Sequence, residues 1–210
     1  MTAASENAAR LAQDAKLLLE AGRLPTACSL AALSIEESGK VSILRAMSLA
    51  RDDKELKEEW KRYRSHTNKN VQWIFPQLVA EGARRLDDLR PIFDKDAKHP
   101  SLLDQVKQLG FYTDCLGNKG HWSIPDEVID GELAGQLVST AELLSSASPT
   151  SEREIELWVE HVGPVWKTDL NWMKRAVANW YEAMQREGLR PEGENGMEKF
   201  LHGGIDPKDV

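Results

Sequence analysis

Long hydrophobic runs, cysteines and the familiar nucleotide- or metal-binding signatures are all scarce in this sequence. No apolar stretch approaches the roughly 20 residues that span a bilayer. Residues 1–10, MTAASENAAR, hold no basic segment followed by an apolar one, so no secretory signal and no membrane association are expected. Cys28 and Cys115 are the only two cysteines in 210 residues. That is too few for a disulfide framework and fits free thiols in a reducing cytoplasm. No CxxC, HExxH, G-x-S-x-G, P-loop or dinucleotide-binding glycine motif occurs, so no cofactor is expected. Basic residues are outnumbered 34 to 27, for a net charge of −7, which argues against coating duplex nucleic acid through the overall field but leaves room for a local basic cleft. With 9 prolines and 14 glycines, collagen-like and low-complexity architectures are excluded.

What is present is helical. Apolar residues make up 41% and charged residues 29%, enough to bury a core. Ala8, Leu11, Ala12, Ala15, Leu18 and Leu19 recur at helical spacing behind Ser5, a candidate N-cap, until Gly22. A second helix opens near Pro25 and carries Leu30, Leu33, Val41, Leu44 and Met47 as its apolar stripe. After a turn at residues 51–53, a third helix is expected through Leu56, Trp60, Tyr63, Val71 and Ile74, with a kink or end near Pro76. Residues 84–124 read as an irregular insertion, containing a short helix over 101–110 and a turn at 117–120. Helix returns over 125–147. Ser151 and Glu154 form a capping box that opens a long final helix to about 187, bent or divided at Gly163-Pro164. The expected organisation is all-α, an antiparallel bundle forming one domain over 1–188, with a flexible charged tail over 189–210.

Two polar features stand out. In Ile35-Glu36-Glu37-Ser38-Gly39-Lys40, Glu36 and Lys40 are spaced for an i,i+4 ion pair. A glycine in a helix interior costs about 1 kcal/mol relative to alanine, so Gly39 marks close approach by a second backbone. The pair is then either an ordinary solvated one or part of a site facing another helix. The second feature is residues 60–80, which hold Lys61, Arg62, Arg64, His66 and Lys69 and no acidic residue. His66, Lys69 and Asn70 share a helical face. Trp60, Tyr63 and Trp73 either pack inward or stack on bases. Glu36, Glu37 and His66 could hold a cation, yet the paired Glu-x-x-His motif of di-iron bundles is missing, and no metal is expected.

These elements together resemble the AbiV-like abortive-infection proteins of bacteria, a branch of the HEPN superfamily. The resemblance rests on the Ala-rich first helix with Leu17-Leu18-Leu19, on Ala27–Leu33 leading into Glu36-Glu37-Ser38-Gly39-Lys40, and on His66 followed by Lys69. Leu109-Gly110-Phe111-Tyr112-Thr113-Asp114, with Trp122 and Pro125 downstream, extends it over about residues 5–126. It implies a helical bundle that forms a homodimer and a role in defence against phage. Many HEPN proteins are metal-independent ribonucleases with an Arg-x(4–6)-His motif at the dimer cleft. This chain departs from that pattern: none of its five histidines follows an arginine at that spacing, and Lys61 stands five residues before His66. Cleavage would then have to use His66 with Lys69, or Lys40 and Glu36, as its catalytic residues in place of the usual pair, while the basic stretch with Lys61, Arg62, Arg64 and Asn70 would contact RNA. The alternative is a non-catalytic module that binds a phage or host protein through the same groove.

Overall fold

The computed structural model describes residues 1–115, 122–146 and 149–204. Among these, helices α1 (Thr2–Glu20) and α2 (Leu24–Met47) form the central hairpin. Gly22 turns the chain between them at φ +71°, a backbone conformation that favours glycine. Pro25 lies in the first turn of α2, where its missing N–H costs nothing. Helix α1 starts four residues earlier than the Ser5 cap predicts, with Met1 at the cap position, and Ser5 is buried inside it.

The inward face of α2 is made of small residues. Ala27, Cys28, Ala31, Ala32, Ile35, Ile43 and Ala46 are buried, whereas the expected stripe of Leu30, Leu33, Val41, Leu44 and Met47 is only partly covered. Small side chains let α1, α6 (His99–Phe111) and α8 (Gly131–Ser145) all pack on α2. This first core draws its fully buried positions from Ala12, Ala15, Leu103, Ala134, Leu137, Val138 and Ala141.

The third helix differs from its expected course. Helix α3 (Asp53–Arg64) stops at Arg64, where Ser65 takes an extended conformation (φ −85°, ψ 126°) and caps the single turn α4 (His66–Lys69) by accepting from the Asn68 N–H. A 3-10 turn, Val71–Ile74, and α5 (Phe75–Ala80) follow. Pro76 therefore stands in the first turn of α5 and breaks nothing.

The 84–124 segment is more ordered than its prolines suggest. A 3-10 helix, Leu86–Phe93, buries Leu89 and Ile92, and α6 is a full 13-residue helix. The two-residue strands β1 (Asp114–Cys115) and β2 (Trp122–Ser123) pair antiparallel. The turn expected at 117–120 lies outside the described residues. The 125–147 helix is split into α7 (Pro125–Val128) and α8, with Asp130 capping α8 by accepting from the Leu133 N–H.

The final long helix is a hairpin. Helix α9 (Glu152–Val162), opened by the expected Ser151–Glu154 capping box, ends at a 3-10 turn through Gly163-Pro164, and α10 (Leu170–Arg186) returns alongside it. Arg153 on α9 pairs with Glu187 just beyond α10 at 2.7 Å, which fixes the antiparallel sense. Leu49, Leu157, Val162, Trp180 and Met184 form a second core beneath this hairpin. The expected free tail instead folds back in part. Asn195 Nδ2 donates to the Ala178 carbonyl, α11 (Gly196–Glu198) leads into a π-turn, and Leu201 is buried. Met197, Phe200 and Leu201 supply the apolar surface that the charged composition obscures. Among the described residues, no helix is long and apolar enough to cross a membrane.

Candidate functional site

The site is built on two glycines of opposite provenance. At Gly39 on α2, an added Cβ would lie 2.0 Å from the Lys69 carbonyl oxygen. At Gly110 on α6, it would lie 2.3 Å from Ser29 Oγ and 2.7 Å from the Pro25 carbonyl oxygen. The absence of side chains there lets α4 and α6 both close onto α2, as the sequence predicts for Gly39. Ser29 Oγ donates to the Lys107 carbonyl at 3.0 Å and fixes α6 in place.

Between them lies Glu36, 3% exposed. Its Oε1 accepts from Lys107 Nζ at 2.5 Å; its Oε2 accepts from His66 Nδ1 at 2.7 Å and lies 3.5 Å from Lys69 Nζ. Lys107 also reaches Asp104 at 2.7 Å. Burial alone would lower the Lys107 pKa, but its bonds to Asp104 and Glu36 outweigh this and hold it above the ordinary value. A buried carboxylate without such partners would be prohibitively costly.

His66 differs from the rest of the cluster in exposure, with 59% of its side chain open to solvent. An ionised carboxylate can only accept, so Nδ1 carries the hydrogen and Nε2 is the ring position that takes up or gives off a proton. The arrangement is an accessible imidazole whose orientation is fixed by a buried carboxylate, itself clamped by two buried ammonium groups. Glu36, His66 and Asp104 also offer three ligand atoms within 4.8 Å of one another. Lys107, however, bonds both carboxylates of that set, so a cation would have to displace its ammonium.

The structure brings together three of the four expected catalytic residues, Glu36, His66 and Lys69. Lys40 departs. Its Nζ pairs with Glu37 at 2.5 Å and lies 5.5 Å over the Tyr63 ring, so the expected Glu36–Lys40 pair does not form. The reason is packing: Glu36 faces α4 and α6, while Lys40 extends along α3.

Of the expected RNA contacts, Asn70 is excluded as a surface group. It is fully buried, and its Nδ2 donates to the Pro100 carbonyl at 3.2 Å. Lys69 is likewise buried against Glu36. Arg62 pairs with buried Glu59 at 2.6 Å but stays 45% exposed. Lys61 and Arg64 are exposed and, with Lys57 and Trp60, line an open groove on α3. Trp60 is 43% exposed and edge-on to Tyr63 at 5.4 Å, so neither purely inward packing nor a free platform describes it.

Lys107 and Asp104 are the site residues that sequence reasoning misses. A local signal exists: Leu103, Lys107 and Gly110 are the buried positions of α6, so a lysine lies at a core-facing position of an amphipathic helix.

A family model described as AbiV, of the HEPN_AbiV type, matches residues 1–146. That range takes in the first core, both glycines and every residue around Glu36, and stops before α9. No curated protein and no solved structure gives a match.

Proposed function

The chain belongs to the AbiV family of the HEPN group, and from that premise we propose that it acts in abortive infection against phage as an endoribonuclease whose proton-transferring group is His66. One observation carries the catalytic part: an exposed imidazole held at Nδ1 by a buried, doubly clamped carboxylate. In this reading Nε2 removes the proton of a ribose 2′-hydroxyl. The 2′-oxygen then attacks the adjacent phosphorus, the bond to the 5′-oxygen breaks, and that oxygen leaves with the proton that the imidazolium passes on to it through a water molecule, which returns His66 to its neutral form. A cyclic phosphate and a 5′-hydroxyl result. Glu36 and Lys107 are positioning residues, since they act through the imidazole. Lys57, Lys61 and Arg64, with Trp60 between them, would hold the phosphates and stack a base just upstream of His66 in sequence. The reaction runs without a divalent ion, because Lys107 already neutralises the carboxylates a cation would need. The working form is a cytoplasmic homodimer; exposed Leu170 and Trp172 on α10 are the kind of large apolar side chains an interface covers.

The test is cleavage of a labelled RNA by wild type, His66→Ala and Lys61→Ala/Arg64→Ala, with EDTA present and over a salt series. His66→Ala should lose at least about 100-fold in rate. The double variant should bind more weakly at every salt concentration and show a shallower salt dependence. Cleavage that survives His66→Ala removes that residue from the mechanism, and loss of activity in EDTA overturns the metal-free reading.

A second reading has its own support. Lys69 and Lys107 both engage Glu36, so neither is free to stabilise charge on a phosphorane, which favours a non-catalytic module that binds a phage or host protein. RNA left intact at low salt by a protein that still protects cells from phage would establish that reading.

A further inference from the structure

A second polar site lies on the opposite flank of α2 from Glu36. Ser5 of α1, Ser38, Val41, Ser42 and Arg45 of α2, Gln72 of the 71–74 turn, and Leu144 and Ser145 at the end of α8 enclose a cavity of about 160 Å³. Its wall carries four hydroxyls, one amide and one guanidinium, and no carboxylate. Two of these groups are buried without a hydrogen-bond partner, Ser38 Oγ and Arg45 Nε. Unsatisfied buried donors are rare in folded proteins and point to a missing water or ion.

Arg45 is otherwise held from the far side. Its guanidinium lies 5.6 Å over the Trp180 ring, and Nη2 reaches Thr150 Oγ1 at 3.5 Å, a weak contact. Glu154, the acidic group whose charge acts on Arg45, is engaged by Arg190 at 2.5 Å. Arg45 thus keeps a half-buried positive charge without an ion-pair partner of its own, and burial pulls its pKa below the ordinary value, with Glu154 opposing. A cavity of this size holds about five waters at ~30 Å³ each, or one tetrahedral oxyanion. Ser42 Oγ and Ser145 Oγ already donate to the Gly39 and Glu142 carbonyls, so Ser38 Oγ, Arg45 Nε and the Gln72 amide are the donors left for an oxyanion with several acceptor oxygens.

We propose that this cavity binds a phosphate group, with Arg45 as its charge partner and Ser38 as a donor. Ser42 and Gln72 also line a larger open groove of about 820 Å³ that includes Val71, Phe93, Pro100 and Trp166. The phosphate is therefore either free or the terminal group of a nucleotide whose nucleoside lies in that groove.

The experiment is calorimetric titration of the full chain with inorganic phosphate, repeated with Arg45→Gln and Ser38→Val. Circular dichroism checks that each variant is folded; Ser38→Val removes only an unpartnered hydroxyl and fills the space with methyl groups. Affinity should fall about 10-fold or more in Arg45→Gln, the scale of a lost charge-assisted hydrogen bond, and severalfold in Ser38→Val. Arg186→Ala, on the exposed face of α10, should bind phosphate as wild type does. The proposal is overturned if wild type gives no binding heat, if both cavity variants bind as wild type, or if binding is lost in Lys61→Ala/Arg64→Ala and kept in both cavity variants. A 5′-mononucleotide that competes with phosphate and depends equally on Arg45 identifies a nucleotide as the source. Its failure to compete identifies free phosphate, and either outcome upholds the oxyanion site. Because the site lies apart from His66, its result stands whether or not RNA is cleaved.

Discussion

The two cores of this protein solve the same packing problem with opposite materials. The first, around α2, is built from alanines, serines and two closely approached glycines, so helix axes come together and backbone meets side chain. The second, under α9 and α10, is built from Trp158, Trp166, Trp180 and Tyr181 around Leu49 and Met184. Trp158 and Trp180 meet edge to face at 5.0 Å, and their indole N–H groups donate to the carbonyls of Arg45 and Glu154. Close axes leave room for one buried ionic cluster; wide ones need large rings to exclude water. The first core therefore cannot accept added volume, and the second cannot lose it.

The largest expected effect breaks the first half of that contrast. Gly39→Ala places a methyl group 2.0 Å from a backbone carbonyl, so α4 must move or the helix must shift. We expect either no folded protein or a loss above about 5 kcal/mol in denaturant unfolding. Stability within about 1 kcal/mol of wild type would show that α4 is loosely held.

Trp180→Ala probes the other half. Deleting this 5% exposed ring should cost about 3–5 kcal/mol, while the Glu36–His66 geometry, located in the first core, stays intact. A histidine proton spectrum with an unchanged His66 resonance would sharpen the distinction, and a displaced one would show that the two cores fold as a single tightly coupled unit.

The smallest effect lies at the junction between them. Arg51 bonds to Glu55 through side chain and backbone and holds its carboxyl down to about 2 from 4.5. A carboxyl lowered by folding adds stability above pH 4.5, and that stability is lost as pH falls toward 2. Glu55→Gln should therefore flatten the acid limb of the stability curve slightly between those values and leave it unchanged at pH 7 and above in shape. An acid limb identical to wild type would show that this exposed pair does not contribute.

Much of the first core was legible because its signals are local. Gly22 and Pro25 mark the α1–α2 turn, and Gly39 announces a close neighbour. Glu36 and His66 could be paired because the connection between their helices is short. The rest depended on long-range packing. Lys107 stands 71 positions after Glu36 in the chain, and no local pattern links them. Asn70 follows His66 and Lys69 on one turn, as its spacing suggests, but its amide turns inward to the Pro100 carbonyl of α6, 30 positions further along the chain. Lys40 has the right spacing for Glu36, yet tertiary contacts offer Glu36 better partners and Lys40 a nearer carboxylate. In the tail, charge concealed the three apolar residues that fold it back.

The contact between Gly39 and Lys69 also restricts the order in which this sequence can change over generations. Lys69 contributes its carbonyl to the glycine contact and its ammonium to Glu36, and His66 is three residues away on the same turn. A side chain at position 39 becomes acceptable only after residues 66–69 have retreated, and that retreat carries the imidazole away from its carboxylate. Drift at position 39 must therefore follow, never precede, abandonment of the His66 site. A natural variant with alanine there would be a lineage in which the pair had already lost its use.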